Sequence, residues 1–304
     1  MDRILLIDGL NSVYRAMSTF GHPTKHERCV QCDVDKHIDV AHCICSSPWD
    51  EENSLCYGDQ YLIVYNFFRN LRPQIEEFSP DKCFFVLEGH PQFRYDLFSD
   101  YKANRIIKTA SKQDSRDKFS KARDIIVDLL QYLPITTARA SLFEADDTIA
   151  TLCENMKEED LSIISSDSDY IQLLQKGYKN IRVFNPIKKE DMVAPSYPYV
   201  AWKCLNGDKS DNIPALLKPA KALKTISDSI LFKNFMEVEE NRSNFNINRQ
   251  LIEFRPVSES DIILKDGIGN FEILREKFNE MKFVSITNEK SWSKYKNTFN
   301  CLKF

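Results

Sequence analysis

Three clusters of acidic residues lie in the middle third of the 304-residue chain. They are Glu144-Ala145-Asp146-Asp147, Asp167-Ser168-Asp169 and Asp208-Lys209-Ser210-Asp211. Each cluster adjoins a stretch whose apolar residues predict a buried element. Because carboxylates are costly to bury unless they are paired or hold a cation, several of them at strand ends indicate a site for divalent metal.

Two earlier carboxylates repeat one arrangement, in which a short apolar run ends in an acid followed by glycine. The run at 3–8 ends in Asp8, and the run at 82–87 is followed by Glu88. Ligands of open parallel α/β sheets bind at the carboxyl ends of the strands, so both acids are predicted to join the metal site. The alternative for Asp8 is a cap on the helix that follows it.

Residues 93–123 are basic, with aromatic side chains between the basic ones. From Lys102 to Arg123 there are eight lysines and arginines and two acids. Such cations bind phosphates and aromatic rings stack on unpaired bases, so the segment is a candidate nucleic-acid contact; the alternative is an ordinary solvated helix face. The candidate contacts are Arg94, Tyr101, Lys102, Arg105 and, on one face of a later predicted helix, Lys218, Lys221 and Lys224. For these last three lysines a solvated face is equally open.

The apolar patterns predict an α/β protein. Short apolar runs predict buried strands, and apolar residues three or four positions apart predict helices. The predicted strands are 3–8, 82–87, 134–136, 161–164 and 181–184. The predicted helices are 58–79, 119–132, 144–155 and 199–205, and residues 225–304 are predicted to be helical.

Residues 21–57 are rich in cysteine and histidine and poor in apolar residues. They hold five of the nine cysteines and four of the five histidines. A Cys-x2-Cys spacing is typical of zinc sites. A long loop without its own core needs a cross-link such as a bound zinc ion to stabilise it. The predicted ligands are Cys29, Cys32, Cys43 and one of His42, Cys45 or Cys56. The alternative is a flexible insertion with incidental cysteines.

Composition limits the class of protein. Hydrophobic residues make up 42% and charged residues 28% of the chain, which is typical of a soluble globular protein. No run approaches the ~18 apolar residues of a membrane span, and the first apolar run is too short for a signal peptide. A cytoplasmic protein is expected, in the host cytoplasm if the protein is viral, with cysteines that are free thiols or metal ligands and not disulfides.

Taken together, the acidic and basic strings resemble the 5′ nuclease (flap endonuclease) family. The strings are Asp8-Gly9, Glu88-Gly89 with Arg94, Tyr101-Lys102-Ala103-Asn104-Arg105, Glu144-Ala145-Asp146-Asp147, Ser166-Asp167-Ser168-Asp169 and Gly207-Asp208-Lys209-Ser210-Asp211-Asn212-Ile213-Pro214. Their order and spacing match over residues 1–225, and within this family the chain resembles tailed-phage 5′-to-3′ exonucleases of the phage RNase H type. The resemblance implies a PIN-like α/β fold with a central, mostly parallel sheet flanked by helices, a helical arch within 93–123 and a C-terminal helical region. The insert at 21–57 is outside the common pattern.

The resemblance also implies that the acids hold two divalent cations, usually Mg²⁺, with Mn²⁺ as an alternative. The first ion would be held by Asp8, Glu88, Glu144 and Asp146, and the second bound or supported by Asp147, Asp167, Asp169, Asp208 and Asp211. Two ions ~3.5–4 Å apart activate water and stabilise the leaving oxygen. Lys102 and Arg105, grouped with Asp146 as catalytic residues, would stabilise the charge on the scissile phosphate.

Two departures from the family pattern bear on these expectations. Position 88 is Glu where the family usually has Asp, so the acid is one methylene longer. After Pro214 the family usually has a glycine-rich helix-hairpin-helix turn that binds duplex DNA, often with K⁺. Residues 215–222 contain no glycine, the residue that permits close backbone approach to phosphate. The K⁺ site is therefore in doubt, and Lys218, Lys221 and Lys224 are the alternative phosphate contacts.

These features predict a metal-dependent 5′ nuclease that cuts DNA flaps or removes RNA primers in replication or repair. The expected domains are a catalytic domain at 1–200 and a helical DNA-binding region at 201–304. The expected partners of a monomeric protein are branched or 5′-ended DNA, RNA–DNA duplex and a polymerase or single-stranded DNA-binding protein. The alternatives are a non-catalytic nucleic-acid-binding replisome component and a small PIN ribonuclease. The acid set favours the nuclease, because a binder gains nothing from carboxylates that face phosphate.

Overall fold

The computed structural model describes residues 1–18, 28–29, 34–35, 49–50, 55–56, 58–105 and 110–303. Its strands are β1 Arg3–Asp8, β2 Arg28–Cys29, β3 Val34–Asp35, β4 Trp49–Asp50, β5 Leu55–Cys56, β6 Lys82–Leu87, β7 Thr136–Ala140, β8 Asp160–Ile164, β9 Ile181–Asn185, β10 Glu190–Asp191 and β11 Ile262–Lys265. Its α-helices are α1 Gly9–Ser18, α2 Gly58–Phe78, α3 Gln92–Leu97, α4 Ala110–Leu130, α5 Ala145–Asn155, α6 Ile171–Leu174, α7 Tyr199–Asn206, α8 Pro219–Ile226, α9 Ser229–Glu237, α10 Glu239–Ile252, α11 Phe271–Glu280, α12 Val284–Thr287 and α13 Glu289–Thr298.

A seven-stranded sheet is formed in the order β10-β9-β8-β1-β6-β7-β11. β1 pairs with β6 in parallel, and β8 pairs with β9 in parallel, whereas β10 joins β9 in the antiparallel direction. The apolar side chains of β1 are buried throughout, as continuous apolar runs of central parallel strands require. The predicted α/β class, with a mostly parallel sheet flanked by helices, is confirmed.

Close backbone approach explains the glycine that follows each of the first two acids. A Cβ on Gly9 would lie 2.6 Å from the carbonyl oxygen of Val86. A Cβ on Gly89 would lie 2.1 Å from the carbonyl oxygen of Ala140 and 2.4 Å from that of Phe143. Only glycine fits at either position, so the repeated acid-glycine pair reflects packing at the strand end as well as chemistry.

Three elements differ from the sequence-based expectations. α4 begins at Ala110 rather than at residue 119, because its first turns contain residues such as Ala, Lys, Gln and Arg that favour helix without any apolar periodicity. β7 covers Thr136–Ala140 rather than 134–136. β11 lies in a region predicted to be helical, and it is an edge strand whose pairing depends on a neighbour distant in sequence.

The chain divides into two compact units. The first contains Met1, Leu87–Lys108 and Arg139–Ile263. Its helical part has a core that includes Tyr101, Leu205, Phe245 and Leu251. Through this core the loop after α3 packs with helices α7, α8 and α10.

The second unit contains Asp2–Val86, Thr109–Ala138 and Leu264–Phe304. Aromatic rings join its C-terminal helices to α2: Phe278 contacts Phe68, Phe283, Trp292 and Tyr295 at centroid distances of 5.0 to 6.2 Å. Such contacts add to the stability gained from buried apolar area.

Within the described part of the chain, no helix has the length and apolar character needed to cross a membrane. The predicted zinc ligands are not tested by the structure. Cys32, His42, Cys43 and Cys45 lie outside the described residues, and Cys29 and Cys56 are described only as backbone in β2 and β5.

Candidate functional site

Three carboxylates converge at the start of α5. Ligand atoms of Glu144, Asp146 and Asp147 all lie within 4.8 Å of one another. Glu144 is the N-cap, and its backbone N–H donates to Asp147 Oδ2 at 3.3 Å in a capping box. Glu88 joins them from the end of β6, because its Oε2 accepts the N–H of Ala145 at 3.0 Å. The helix start thus fixes the geometry of the acid cluster, defined here as Glu88, Glu144, Asp146 and Asp147.

Arg94 is the buried counter-charge of this cluster. It is 1% exposed, and its two terminal nitrogens donate to Asp147 at 2.6 and 2.8 Å. Nη1 also lies 3.0 Å from Glu144 Oε2, while Nε donates to the carbonyl of Leu251 at 3.0 Å. All three nitrogens of the guanidinium therefore donate to an acceptor, and the paired bonds to Asp147 hold that carboxylate in one orientation.

Asp146 is left with excess negative charge around it. Desolvation and the neighbouring charges of Glu144 and Asp147 raise the pKa of Asp146 well above its ordinary value. A divalent cation at this point would offset the negative charges of Glu144 and Asp147, which add to the effect of burial. Oxygen ligands from carboxylates are those that Mg²⁺ and Mn²⁺ prefer, so the donor set fits such an ion.

Lys102 and Tyr101 contact the acid cluster from the loop after α3. The ammonium of Lys102 bonds Glu144 Oε1 and lies 3.9 Å from Asp211 Oδ2. The hydroxyl of Tyr101 lies 3.0 Å from Glu144 Oε2 and 3.1 Å from Asp211 Oδ2. Lys102 has a φ of 55°, a left-handed conformation that non-glycine residues adopt mainly where the surroundings enforce it.

The two most specific sequence strings, 101–105 and 207–214, are bonded to each other. The N–H of Lys102 donates to the carbonyl of Asp211 at 2.9 Å. Arg105 Nη2 contacts Asp211 Oδ1 at 2.5 Å, and Asn104 donates to the carbonyl of Lys209 at 2.6 Å. Asp211 therefore orients the two basic residues in this structure.

A second acid set surrounds Lys203, on α7. The Lys203 ammonium bonds Asp169 Oδ1 and lies 2.7 Å from Asp208 Oδ2. Although burial alone would raise it, the charge of Lys203 lowers the pKa of Asp208 to about 2. Burial outweighs the same charge at Asp169 and raises the pKa of that carboxyl to about 6. Asp167 caps the short helix at Ser168–Tyr170 by accepting the N–H of Asp169 at 2.9 Å.

Asp8 lies in the second compact unit, at the end of β1, and is 9% exposed. Its Oδ1 accepts the N–H of Asn11 at 3.1 Å, which is the helix cap named above as the alternative. In strand order β1 lies between β8 and β6. Its role as a metal ligand stays a prediction.

The predicted nucleic-acid contacts fall into two groups. Arg94 and Tyr101 are 1% and 2% exposed, and their polar atoms bind carboxylates, so the geometry favours a role in holding the acid cluster. Arg105 and the lysines of α8 are exposed at the surface. Their contact with nucleic acid stays a prediction.

Lys203 was missed by the sequence analysis. The signal for it was a lysine within the otherwise apolar run of α7, between Trp202 and Cys204. A lysine in such a run is rarely buried without an acidic partner, and Asp208 follows five residues later.

Comparison with known proteins gives relatives for the first two thirds of the chain. Residues 3–199 match the family described as 5′-3′ exonuclease, N-terminal resolvase-like domain. The 5′-3′ exonuclease of Bacillus subtilis is 30% identical over 189 residues, 58% of this chain and 59% of that protein. DNA polymerase I of Streptococcus pneumoniae is 31% identical over 168 residues, 51% of this chain and 18% of the polymerase. The chain thus spans less than two thirds of the length of these relatives.

Solved structures share the fold over nearly the whole chain. The flap endonuclease of bacteriophage T5, in complex with DNA and metal ions, superposes with a TM-score of 0.56 at 13% identity, covering 97% of both chains. The catalytic core of Rad2 in complex with DNA substrate gives a TM-score of 0.51 at 14% identity, covering 97% of this chain and 92% of that one. At these identities the likeness establishes the fold alone. The family match covers well over half of the sequence, and the chain therefore belongs to the 5′-3′ exonuclease family through an N-terminal resolvase-like domain.

Proposed function

We propose that the protein is a divalent-metal-dependent, structure-specific 5′ nuclease that hydrolyses phosphodiester bonds in DNA replication or repair. The observation that carries the proposal is the acid cluster at the start of α5, with the ammonium of Lys102 bonded to it. The carboxylates can hold a metal cation, and the Lys102 ammonium beside them can bind a phosphate. This combination fits phosphodiester hydrolysis. Family membership supports the same activity.

The acid cluster is the proposed position of the first ion, with Mg²⁺ as the ion and Mn²⁺ as a substitute. Its fit rests on the oxygen ligand atoms of Glu144, Asp146 and Asp147, which lie within 4.8 Å of one another. The second acid set is the proposed position of a second ion, held through Asp167, Asp169 and Asp208. Lys203 already neutralises part of that set, so we propose that the second ion binds more weakly than the first.

The bound cations would supply an activated water and stabilise charge on the leaving oxygen. This chain's own residues then have three tasks. Arg94 keeps Asp147 and Glu144 in place, and Asp211 holds Arg105. Lys102, which bonds Glu144 here, has the reach and charge to bind a scissile phosphate that enters the site.

We further propose that 1–200 forms the catalytic domain and that 201–304 grips the nucleic acid, in a monomeric protein. The exposed lysines of α8 support the second assignment. The proposed substrates are branched or 5′-ended DNA and RNA–DNA duplex, with preference between flap and exonucleolytic cleavage left to the assay. A polymerase or single-stranded DNA-binding protein as partner, and zinc in the cysteine-rich insert, stay predictions.

A labelled 5′-flap duplex tests the activity. Cleavage is expected with Mg²⁺ and not with EDTA, and a double variant, Asp146→Ala with Asp167→Ala, is expected to be inactive while binding the duplex. A matched control is Asp191→Ala, which removes an exposed acid paired only with Arg182 among the contacts described. Failure of the wild type to cleave, or equal cleavage by the double variant, would contradict the proposal.

A further inference from the structure

A cavity of 560 Å³ lies in the second compact unit, between α2 and the C-terminal helices α12 and α13. It is lined by Tyr65, Arg69, Asn70, Arg72, Pro73, Ser285, Ile286, Ser291 and Tyr295. Its volume is in the range of sites that bind small molecules. None of these residues belongs to the acid cluster or to the second acid set.

The charge of the lining is positive. Arg69 and Arg72 are the charged residues of the lining, which contains no carboxylate among the residues that the structure describes. Arg72 has an ion pair with Glu76 at 3.1 Å, but both side chains are over a third exposed, and such pairs contribute little. Arg69 makes no ion pair within the described residues. The cavity therefore attracts an anion.

A buried hydroxyl in the lining has no hydrogen-bond partner in the part of the chain that the structure describes. Tyr295 is 2% exposed, and its ring is stacked on Trp292 at 5.6 Å, which fixes its position. Its hydroxyl makes no hydrogen bond to any described residue, although buried polar groups are nearly always paired. Burial also raises the pKa of Tyr295, so the phenol keeps its proton and is a donor whose acceptor is not among the described residues.

The remaining lining groups supply hydrogen bonds and a flat apolar surface. The hydroxyls of Tyr65 and Ser285 are bonded to each other at 2.7 Å, and Asn70 and Ser291 add further polar groups. Pro73 and Ile286 give the cavity an apolar side. Guanidinium pairs recognise phosphate in forked geometry, and a phosphate oxygen would accept from the orphan phenol.

We propose that this cavity binds the phosphate of a small phosphorylated ligand of nucleotide size, with Arg69 and Arg72 as the anion contacts and the Tyr295 hydroxyl as a donor. The phosphate could come from a nucleoside monophosphate or from inorganic phosphate. The site is separate in its residues from the proposed nuclease centre and does not depend on that activity.

Calorimetric titration in EDTA tests the proposal with two probes, deoxyadenosine 5′-monophosphate and inorganic phosphate. The double variant Arg69→Gln with Arg72→Gln is expected to weaken binding at least tenfold. Tyr295→Phe keeps the ring stacked on Trp292 and removes only the hydroxyl, and it is expected to weaken binding several-fold. Arg242→Gln, which removes one exposed guanidinium in the other unit, is the control for general charge and is expected to bind like the wild type.

The two probes distinguish the sources. Tighter binding of the monophosphate identifies a nucleotide as the ligand, and equal binding identifies free phosphate. The proposal is overturned if neither probe binds the wild type, if the double variant and Tyr295→Phe both bind as well as the wild type, or if Arg242→Gln loses as much affinity as the double variant. Melting temperatures verify that each variant is folded. Because EDTA removes divalent metal, a negative result leaves the proposed nuclease activity untouched.

Discussion

At the scale of one residue, Lys102 makes contacts to the acidic residues through both its backbone and its side chain. It has a φ of 55°, its N–H donates to the carbonyl of Asp211, and its ammonium bonds Glu144. A non-glycine residue held in this conformation is often found at a functional site. The backbone and the ammonium of Lys102 are thus both bonded to residues of the acidic strings.

Replacement of Lys102 by alanine is expected to lower kcat on a 5′-flap duplex about 100-fold, the typical effect of removing one group that stabilises transition-state charge. Lys102→Arg keeps the charge and is expected to retain part of the rate. Lys209→Ala removes an exposed lysine from the neighbouring loop and serves as the matched control. An unchanged kcat in Lys102→Ala, measured under single-turnover conditions, would remove Lys102 from the reaction.

Arg94 is expected to act on stability rather than on binding of DNA. Arg94→Leu leaves Asp147 buried without its counter-charge and leaves Glu144 with Lys102 alone, so the free energy of unfolding should fall by about 3–5 kcal/mol. Urea denaturation in EDTA measures the change.

The control for Arg94 is Arg249→Ala, which breaks an exposed pair with Glu253 at 2.8 Å. Pairs of that kind contribute about 1 kcal/mol or less. Equal stability of Arg94→Leu and the wild type, or a loss no larger than that of Arg249→Ala, would show that the buried pair is not what stabilises the site.

Residue types and spacing predicted that Glu144, Asp146 and Asp147 lie together, as they do in the structure, but did not predict which lysines and arginines pair with the acids. Glu144, Asp146 and Asp147 lie close together because they are near neighbours in the sequence at the start of a helix. Arg94 is predicted from the sequence as a nucleic-acid contact, because one-dimensional spacing cannot distinguish a buried arginine from an exposed one. Lys203 became a partner of Asp169 only through packing of α7, which the local sequence does not contain.

At the scale of elements, the central strands were predictable because continuous apolar runs have few alternatives to burial in a parallel sheet. β11 was not, since an edge strand of four residues with exposed Ile263 and Leu264 carries no local signal that separates it from helix or loop. Pairing with β7, more than 120 residues earlier, decides its conformation.

The lysines of α8 can be tested as a unit. Lys218, Lys221 and Lys224 are exposed at and after the start of this helix. If all three contact phosphates, their replacement by glutamine should weaken binding of a flap duplex and reduce the slope of log affinity against log salt by about 3, one for each lost contact.

A control triple for α8 is Lys290→Gln, Lys294→Gln and Lys296→Gln, which removes three exposed lysines from α13. It lowers the net charge by the same amount. Binding measured in EDTA across a salt series should separate the two variants; equal slopes would identify α8 as an ordinary solvated face.

At the scale of the whole molecule, the acids make folding depend on both pH and metal. The pKa of Asp169 is raised from 3.8 to about 6 by burial, so the folded protein binds that proton more tightly than the unfolded chain does. In the absence of metal, the stability contributed by this group is therefore lost as pH rises through that interval. Asp146, with its pKa also raised, acts in the same direction.

Mg²⁺ should reverse this trend, because a cation replaces the proton on each carboxylate. The free energy of unfolding is expected to rise by about 2.7 kcal/mol when Mg²⁺ is present at about 100 times its dissociation constant. The increment should shrink as pH falls below about 6, where protons compete for Asp169. Asp146, whose pKa is also raised, adds to this competition. Thermal melts with Mg²⁺ and with NaCl of equal ionic strength, at pH values on either side of that interval, measure the effect.

Asp146→Asn keeps the shape of the side chain and removes its charge, so it should stabilise the metal-free protein and reduce the response to Mg²⁺. An increment that is the same at acidic and neutral pH, or is matched by NaCl, would mean that these buried carboxylates do not hold the ion.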